Sequence, residues 1–296
     1  MFLVEHVRKS KNMGKEKELY KGLKPFLNCK DYTVSGETYE VMINSKYDML
    51  ITSPVPSDLI NYYVSNDYIS HTDSKKSLLD KTYQSVKNYS LKRKLSLINS
   101  FNTTSKNILD VGAGTGDFLK VCKEGKWNVV GVEPSLKARN IAKEKGISLQ
   151  EDLFSIHQKF DVITLWHVLE HVKELDENIS KLKSLLNKNG KLIIAVPNFK
   201  SYDAKYYKEF WAAFDVPRHL WHFSQQSIHK LFSEQNMIVE KTLPMKFDAY
   251  YVSLLSEKYK YGKMKPISSF YRGFLSNLKA RATSEYSSLI YVIKNQ

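Results

Sequence analysis

The residues best able to do chemistry lie between positions 110 and 134: Asp110, then Gly112, Ala113, Gly114 and Gly116, then Glu133 and Pro134. Glycines spaced two apart after an apolar run let a backbone turn approach a ligand closely. A helix that opens there presents unpaired N–H groups. An acidic residue 21 positions beyond Gly112 is suited to bind ribose hydroxyls. Such a constellation serves an adenosine-containing cofactor.

The elements that must position these residues can be read from hydrophobic patterning. Asn107–Val111, Asn128–Glu133, Phe160–Trp166 and Lys191–Pro197 are short runs rich in Val and Ile, the pattern of buried strands. Between them Phe118, Leu119 and Cys122 share one helical face, Ser135–Lys145 predicts a second helix and Leu175–Leu186 a third, with Gly190 as its stop. Regular strand–helix alternation predicts an α/β domain with a parallel sheet and helices on both faces. Beyond Pro197 come a long aromatic-rich connection over 198–223, a helix at about 224–235, a strand at about 237–243 and a last strand at 287–293. Phe270, Phe274 and Leu278, flanked by Tyr271 and Leu275, form the stripe of a basic amphipathic helix, with Arg272, Lys279 and Arg281 outside it. Residues 1–53 read as a small N-terminal module and 54–104 as a helical cap segment with helices over about 57–100.

The glycine spacing discriminates between cofactors. A dinucleotide fingerprint places its third glycine three positions after the second, where this chain has Asp117. The run from Asp110 to Gly116 instead resembles motif I of the class I S-adenosylmethionine-dependent methyltransferases, which carries an acidic residue two positions before the first glycine. Val129–Ser135 resembles motif II, and Trp166-His167-Val168-Leu169-Glu170-His171 resembles the segment after strand four in the bacterial UbiG-like group. Phe214–Ser224 resembles a stretch of uncharacterised members of that group.

The resemblance covers about 105–296. It implies a Rossmann-like class I methyltransferase fold with a mostly parallel seven-stranded sheet, plus N-terminal additions and lid insertions at 198–223 and 244–285. It also implies S-adenosylmethionine as cofactor and S-adenosylhomocysteine as product. The cofactor-binding residues would be Asp110, Gly112, Ala113, Gly114, Gly116, Glu133 on both ribose hydroxyls, Pro134, Asp152 and Leu153 near the adenine, Trp166 and His167. Several relatives carry paired cysteines in the N-terminal module. Here Cys29 stands alone, so no metal site is expected.

Methyl transfer is an in-line displacement that gains from alignment and needs no covalent intermediate. An oxygen or nitrogen acceptor carrying a proton gains from a base near neutral pKa. His171 and His219 are the catalytic candidates, with His167 and His222 beside them in sequence. The acceptor is expected to be a small molecule methylated at oxygen. Asp215 and Arg218 suit an ion pair fixing the 198–223 connection. Tyr202, Tyr206, Tyr207, Trp211, Phe214 and Trp221 would either line a substrate pocket or fill a core. Cys122, on an apolar helix face, is expected to be buried.

Composition bounds the remaining alternatives. Of 296 residues, 42% are hydrophobic and 26% charged, which argues against disorder. No apolar run approaches the roughly 18 residues of a membrane span. Met1–His6 is too short in apolar residues for a secretory signal, and two cysteines cannot build a disulfide framework, so a cytoplasmic location is expected. The net charge of +14 divides into +5 for residues 1–100, +2 for 101–240 and +7 for 241–296. Basic flanks leave open an RNA substrate, peripheral contact of 244–285 with an anionic membrane, and plain solvation. A homodimer through the tail helix and a non-catalytic cofactor-binding role also stay open. Trp-His-Val-Leu after strand four is not the Asn/Asp-Pro-Pro-aromatic motif of exocyclic-amine methylases, and neither cysteine is placed as a C5-pyrimidine nucleophile.

Overall fold

A computed structural model describes residues 18–63 and 78–296. Expectations for the extreme N-terminus and for 64–77 lie outside the described residues. The chain opens with an antiparallel meander of β1 (Lys24–Lys30), β2 (Thr38–Asn44) and β3 (Met49–Ser53). Helix α1 (Leu78–Asn99) leads into β4 (Asn107–Val111), α2 (Asp117–Glu124), β5 (Asn128–Val132), α3 (Leu136–Glu144) and β6 (Phe160–Trp166). Then come α4 (Leu175–Ser184), β7 (Leu186–Pro197), the short α5 (Tyr202–Tyr207) and the two-residue β8 (Trp221–His222). The chain finishes with α6 (Gln225–Ser233), β9 (Met237–Pro244), α7 (Asp248–Tyr261), α8 (Pro266–Thr283) and β10 (Ser288–Asn295).

The main sheet has the order β5-β4-β6-β7-β10-β9, with β5, β4, β6 and β7 parallel and β10 antiparallel to both of its neighbours. Val162, Ile163, Thr164 and Leu165 of β6 are all buried, as a central strand covered on both faces requires. The sheet has six strands rather than the expected seven. Where the seventh would lie, beside β5, Gln150 makes a single parallel bridge to Val132. Asp152 then ends the extended run by accepting a hydrogen bond from Phe154 N–H at 3.1 Å and capping a tight turn.

The second sheet joins distant parts of the chain. β8 pairs with β3, adding a fourth strand to the meander, so segment 198–223 is tied to residues 49–53. Met49 and Ile51 enter one core with Leu109, Ile163, Leu192 and Trp221. A second cluster unites Cys29, Tyr39 and Val41 with Tyr207, Trp211 and Phe214. The buried aromatics of 198–223 are therefore core. Trp211 donates its ring N–H to Asp203 at 2.8 Å, and Trp221 donates to the Val172 carbonyl at 2.7 Å. Cys122 is buried as expected.

One local expectation is corrected. The third predicted helix ends at Ser184, and Gly190 lies inside β7 rather than stopping that helix. A side chain there would come within 3.0 Å of the Phe160 carbonyl oxygen, so glycine permits a close backbone approach. The orientation of the amphipathic tail helix α8, left open by its spacing, is settled with the apolar stripe outward. Phe270, Tyr271, Phe274 and Leu278 are exposed, while Ser269, Gly273, Ser276 and Ala280 are buried. A Cβ on Gly273 would lie 2.8 Å from the Tyr250 ring, so small residues let α8 press against α7.

Arg218 stitches these parts together. Fully buried, its guanidinium donates to Asp215 at 2.6 and 3.0 Å, to Asp31 at 3.0 Å and to the Tyr62 carbonyl at 3.3 Å. Removing one member of a buried ion network strands the others without compensation. Arg218→Met is expected to lower stability by about 3–5 kcal/mol in urea unfolding. A loss below about 1 kcal/mol would show that the network does not hold the two sheets together.

Candidate active site

The glycine turn lies where parallel strands end, the usual ligand position in open α/β sheets. Gly112 and Ala113 donate their N–H groups to the Val132 carbonyl at 2.8 and 2.9 Å, folding the turn back over β5. Gly112, Gly114 and Gly116 have φ of 70°, 53° and 75°, values that favour glycine. No atom lies within 4 Å of where a Cβ on Gly114 would stand, so the turn faces open space. Glu133 is clamped at its edge: Oε2 accepts from Gly114 N–H and Oε1 from Ser135 N–H, both at 2.9 Å. Pro134 is buried beside it, its carbonyl accepting from Arg139 at 2.7 Å.

Below the turn, Asp110 is 3% exposed and accepts from Thr164 Oγ1 at 2.5 Å. Burial pushes its pKa up to about 7, against the Thr164 hydrogen bond and the Lys94 charge. The Lys94 ammonium sits 4.1 Å from the centre of the Trp166 ring. Burial pulls its pKa down to about 8, against the attraction of Asp110 and Asp248. Trp166 Nε1 is buried without a hydrogen-bond partner among the described residues. Lys94, Thr164 and Asp248 were not singled out by sequence reasoning, because they come from separate elements with no shared spacing. Asp152 serves the turn described above, and Leu153 is buried in the main core.

His167 follows β6 in a left-handed conformation, φ 58°. Its Nε2 lies 2.9 Å from Asp248 and its Nδ1 3.3 Å from Glu170. Burial opposes its charge, but the two carboxylates prevail and raise its pKa to about 10. His171 and His219 are brought together from 48 positions apart, their rings edge to face with centres 4.5 Å apart. Nδ1 of His171 is 3.0 Å from the Arg218 carbonyl and 3.1 Å from the Tyr63 hydroxyl. Burial, together with the neighbouring His219, lowers its pKa to about 4, so it is neutral at pH 7 with a weak hold on a proton. His222 is packed 3.0 Å from the Thr52 hydroxyl, and burial holds its pKa well below the ordinary value. Glu170, 1% exposed, is kept ionised by His167 despite its burial.

A family model described as Methyltransferase domain matches residues 83–241. An uncharacterized methyltransferase of Alkaliphilus oremlandii is 33% identical over 104 residues, 33% of this chain and 48% of that protein. An uncharacterized methyltransferase of Bacillus cytotoxicus is 33% identical over 111 residues, 35% of this chain and 52% of that protein. The chain thus spans about half the length of the curated relatives it matches. Among solved structures, magnesium protoporphyrin IX methyltransferase from Synechocystis PCC 6803 with bound SAH is similar at a TM-score of 0.55. It is 15% identical, and the match covers 81% of this chain and 100% of that one. That likeness establishes the Rossmann-like class I methyltransferase fold.

The ion pairs of His167 give stability a pH signature. Its folded pKa of about 10 exceeds the ordinary 6.5, so its contribution is complete below about pH 6.5 and is lost as pH rises through about 10. The stability gap between wild type and His167→Gln is expected to shrink over that window in denaturant titrations. A gap that widens with pH would contradict the pairing.

Proposed function

The chain belongs to the methyltransferase domain family, and from that premise we propose that it transfers a methyl group from S-adenosylmethionine to an oxygen of a small-molecule acceptor. One observation carries the reading: both oxygens of Glu133 are held by backbone N–H groups at the rim of the glycine turn, each keeping lone-pair capacity for a hydroxyl. The donor set fits the cofactor. Gly112, Ala113, Gly114 and Gly116 offer a close-approach turn, Glu133 receives the ribose hydroxyls, and Asp152 and Leu153 border the adenine side. Asp110, Trp166 and His167 face the other end, where the Lys94 ammonium suits a carboxylate. S-adenosylmethionine supplies a sulfonium-bound methyl group open to in-line displacement.

His171 and His219 are the groups that serve the acceptor. The low proton affinity of His171 makes simple proton abstraction by that ring weak, so the pair acts through its ring lone pairs. Segments 198–223 and 244–285 act as the lid, and the Trp166–His171 stretch supports the UbiG-like group. A cytoplasmic enzyme is the matching location. No helix among the described residues is long and apolar enough to cross a membrane.

A second reading concerns the partner surface and rests on α8. Ile267 is 88% exposed and Phe270 65%, in line with Phe274 and Leu278, and Lys263, Lys265, Lys279 and Arg281 lie in the same region. An apolar stripe with basic flanks suits an anionic bilayer, which would supply a lipid or quinone-precursor acceptor.

Calorimetric titration with S-adenosylhomocysteine tests the cofactor: wild type is expected to bind one equivalent and Glu133→Ala at least tenfold more weakly, whereas no binding by wild type would overturn the reading. For the bilayer, flotation with phosphatidylglycerol vesicles is expected to recover wild type but not Ile267→Glu/Phe270→Glu. Equal recovery of both proteins, or of neither, would remove it.

A further inference from the structure

Away from the glycine turn, α7 and α8 gather positive charge against two tyrosines of α5. From Lys258 to Ser284 the chain carries seven lysines and arginines and no acid. Three of these cations settle on Tyr202 and Tyr206, whose rings stack with centres 6.2 Å apart. The Arg272 guanidinium carbon lies 4.0 Å from the centre of the Tyr206 ring, and the Lys260 ammonium lies 5.0 Å from the same centre. The Lys279 ammonium lies 3.9 Å from the centre of the Tyr202 ring. None of the three has a carboxylate within 4.0 Å among the described residues. Glu257, the acid just before this stretch, is fully buried and accepts from the Tyr207 and Ser268 hydroxyls instead.

Two cations held against one ring repel each other, and the ring face offsets only part of that cost. Stacking occupies the flat face of a guanidinium and leaves its in-plane N–H donors for an anion. Arg272 Nε is covered and makes no hydrogen bond among the described residues. A buried donor in that state calls for an acceptor. Arg272, Lys260 and both tyrosine rings are half-buried and Lys279 is exposed, so the group is open to solvent on one side. A phosphate ester matches this set better than a carboxylate. As a monoester it carries a charge of about −1.5 to −2 and three acceptor oxygens, and it takes forked, charge-assisted hydrogen bonds from a guanidinium. A carboxylate brings a single charge.

We propose that Arg272, Lys260 and Lys279, seated on Tyr206 and Tyr202, form a binding site for a phosphate group. Arg272 supplies the planar fork, and the two lysines supply charge on either side of it. Arg272 and Lys279 stand seven positions apart, about two turns of α8, and so share one face of the helix. That face adjoins α5 and is distinct from the outward stripe of Ile267 and Phe270. The phosphate is carried by a soluble ester or by a lipid headgroup, and the chemistry recognised is the same. Binding needs only these side chains and does not rest on the methyltransferase reading.

The test uses the full chain in phosphate-free buffer. Glycerol phosphate, followed by its phosphorus NMR line width, is the soluble probe, with acetate as competitor; phosphatidylglycerol vesicles are the lipid probe, and S-adenosylhomocysteine is titrated in parallel. Wild type is expected to bind glycerol phosphate saturably, with no competition from acetate. Arg272→Gln and Lys260→Gln are expected to bind at least about tenfold more weakly, and Arg272→Lys, which keeps the charge and loses the fork, to fall between. Lys258→Gln removes an exposed charge from the same helix α7 and is expected to match wild type. Saturable binding of the soluble probe assigns the site to a free ester, and vesicle recovery that depends on Arg272 without it assigns the site to a headgroup; either supports the proposal. No binding by wild type in both arms, equal competition by acetate, affinity unchanged in Arg272→Gln and Lys260→Gln, or an equal loss in Lys258→Gln overturns it. Circular dichroism reads folding, and Lys260→Gln decides the matter if the Arg272 variants fail to fold. S-adenosylhomocysteine binding without phosphate binding overturns this site alone, while phosphate binding without S-adenosylhomocysteine binding overturns the methyltransferase reading alone.

Discussion

A guanidinium taken wholly out of water is the constraint on which the rest of the structure depends. Arg218 is fully buried, so both Asp31 and Asp215 must reach it, one from the β1–β2 turn and the other from segment 198–223. Asp31 can do so because its carboxylate also accepts from the backbone N–H groups of Thr33 and Ser35, which fixes the turn around it. Once Arg218 is set, its carbonyl receives the His171 ring and its neighbour His219 faces that ring. Leu220 N–H reaches the Glu170 carbonyl at 2.8 Å, and Thr52 N–H reaches the Leu220 carbonyl at 3.0 Å. The N-terminal meander therefore helps to position His171 and His219.

The face around the glycine turn is organised differently. Asp110, Glu133 and Glu170 are all buried near the ends of β4, β5 and β6. Each meets a different answer: a hydroxyl and the Lys94 charge for Asp110, backbone N–H groups for Glu133, and protonated His167 for Glu170. His167 is in turn shared with Asp248 at the start of α7. The segment after β9 thus contributes a charged group to the site face.

Local spacing made one half of this legible in the sequence. The glycine turn, Glu133 and the apolar runs of β4 to β7 each lie within a few residues of their partners, so the chain itself encodes the geometry. Segment 198–223 was legible as a long aromatic connection and Asp215–Arg218 as an ion pair, but Asp31 was not, since nothing local links it to Arg218. Lys94 and Asp248 were hidden for the same reason. The tail helix shows a second limit. Helical spacing reveals a stripe but not which side is inward, and Ser269, Gly273, Ser276 and Ala280 form an equally regular stripe whose small size permits contact with α7. Gly190 looked like a helix stop because its role, close passage beside Phe160, depends on a strand 30 positions away.

The central claim is that the imidazoles fixed by Arg218 present a small-molecule acceptor to a methyl donor held by the glycine turn. Incubation with methyl-labelled S-adenosylmethionine and a host-cell extract, followed by separation into lipid, RNA, protein and small polar fractions, tests it most directly. Label in the small polar or lipid fraction, lost on His219→Gln, is expected. Label confined to RNA or protein, or label in the small fractions that His219→Gln leaves unchanged, would contradict it.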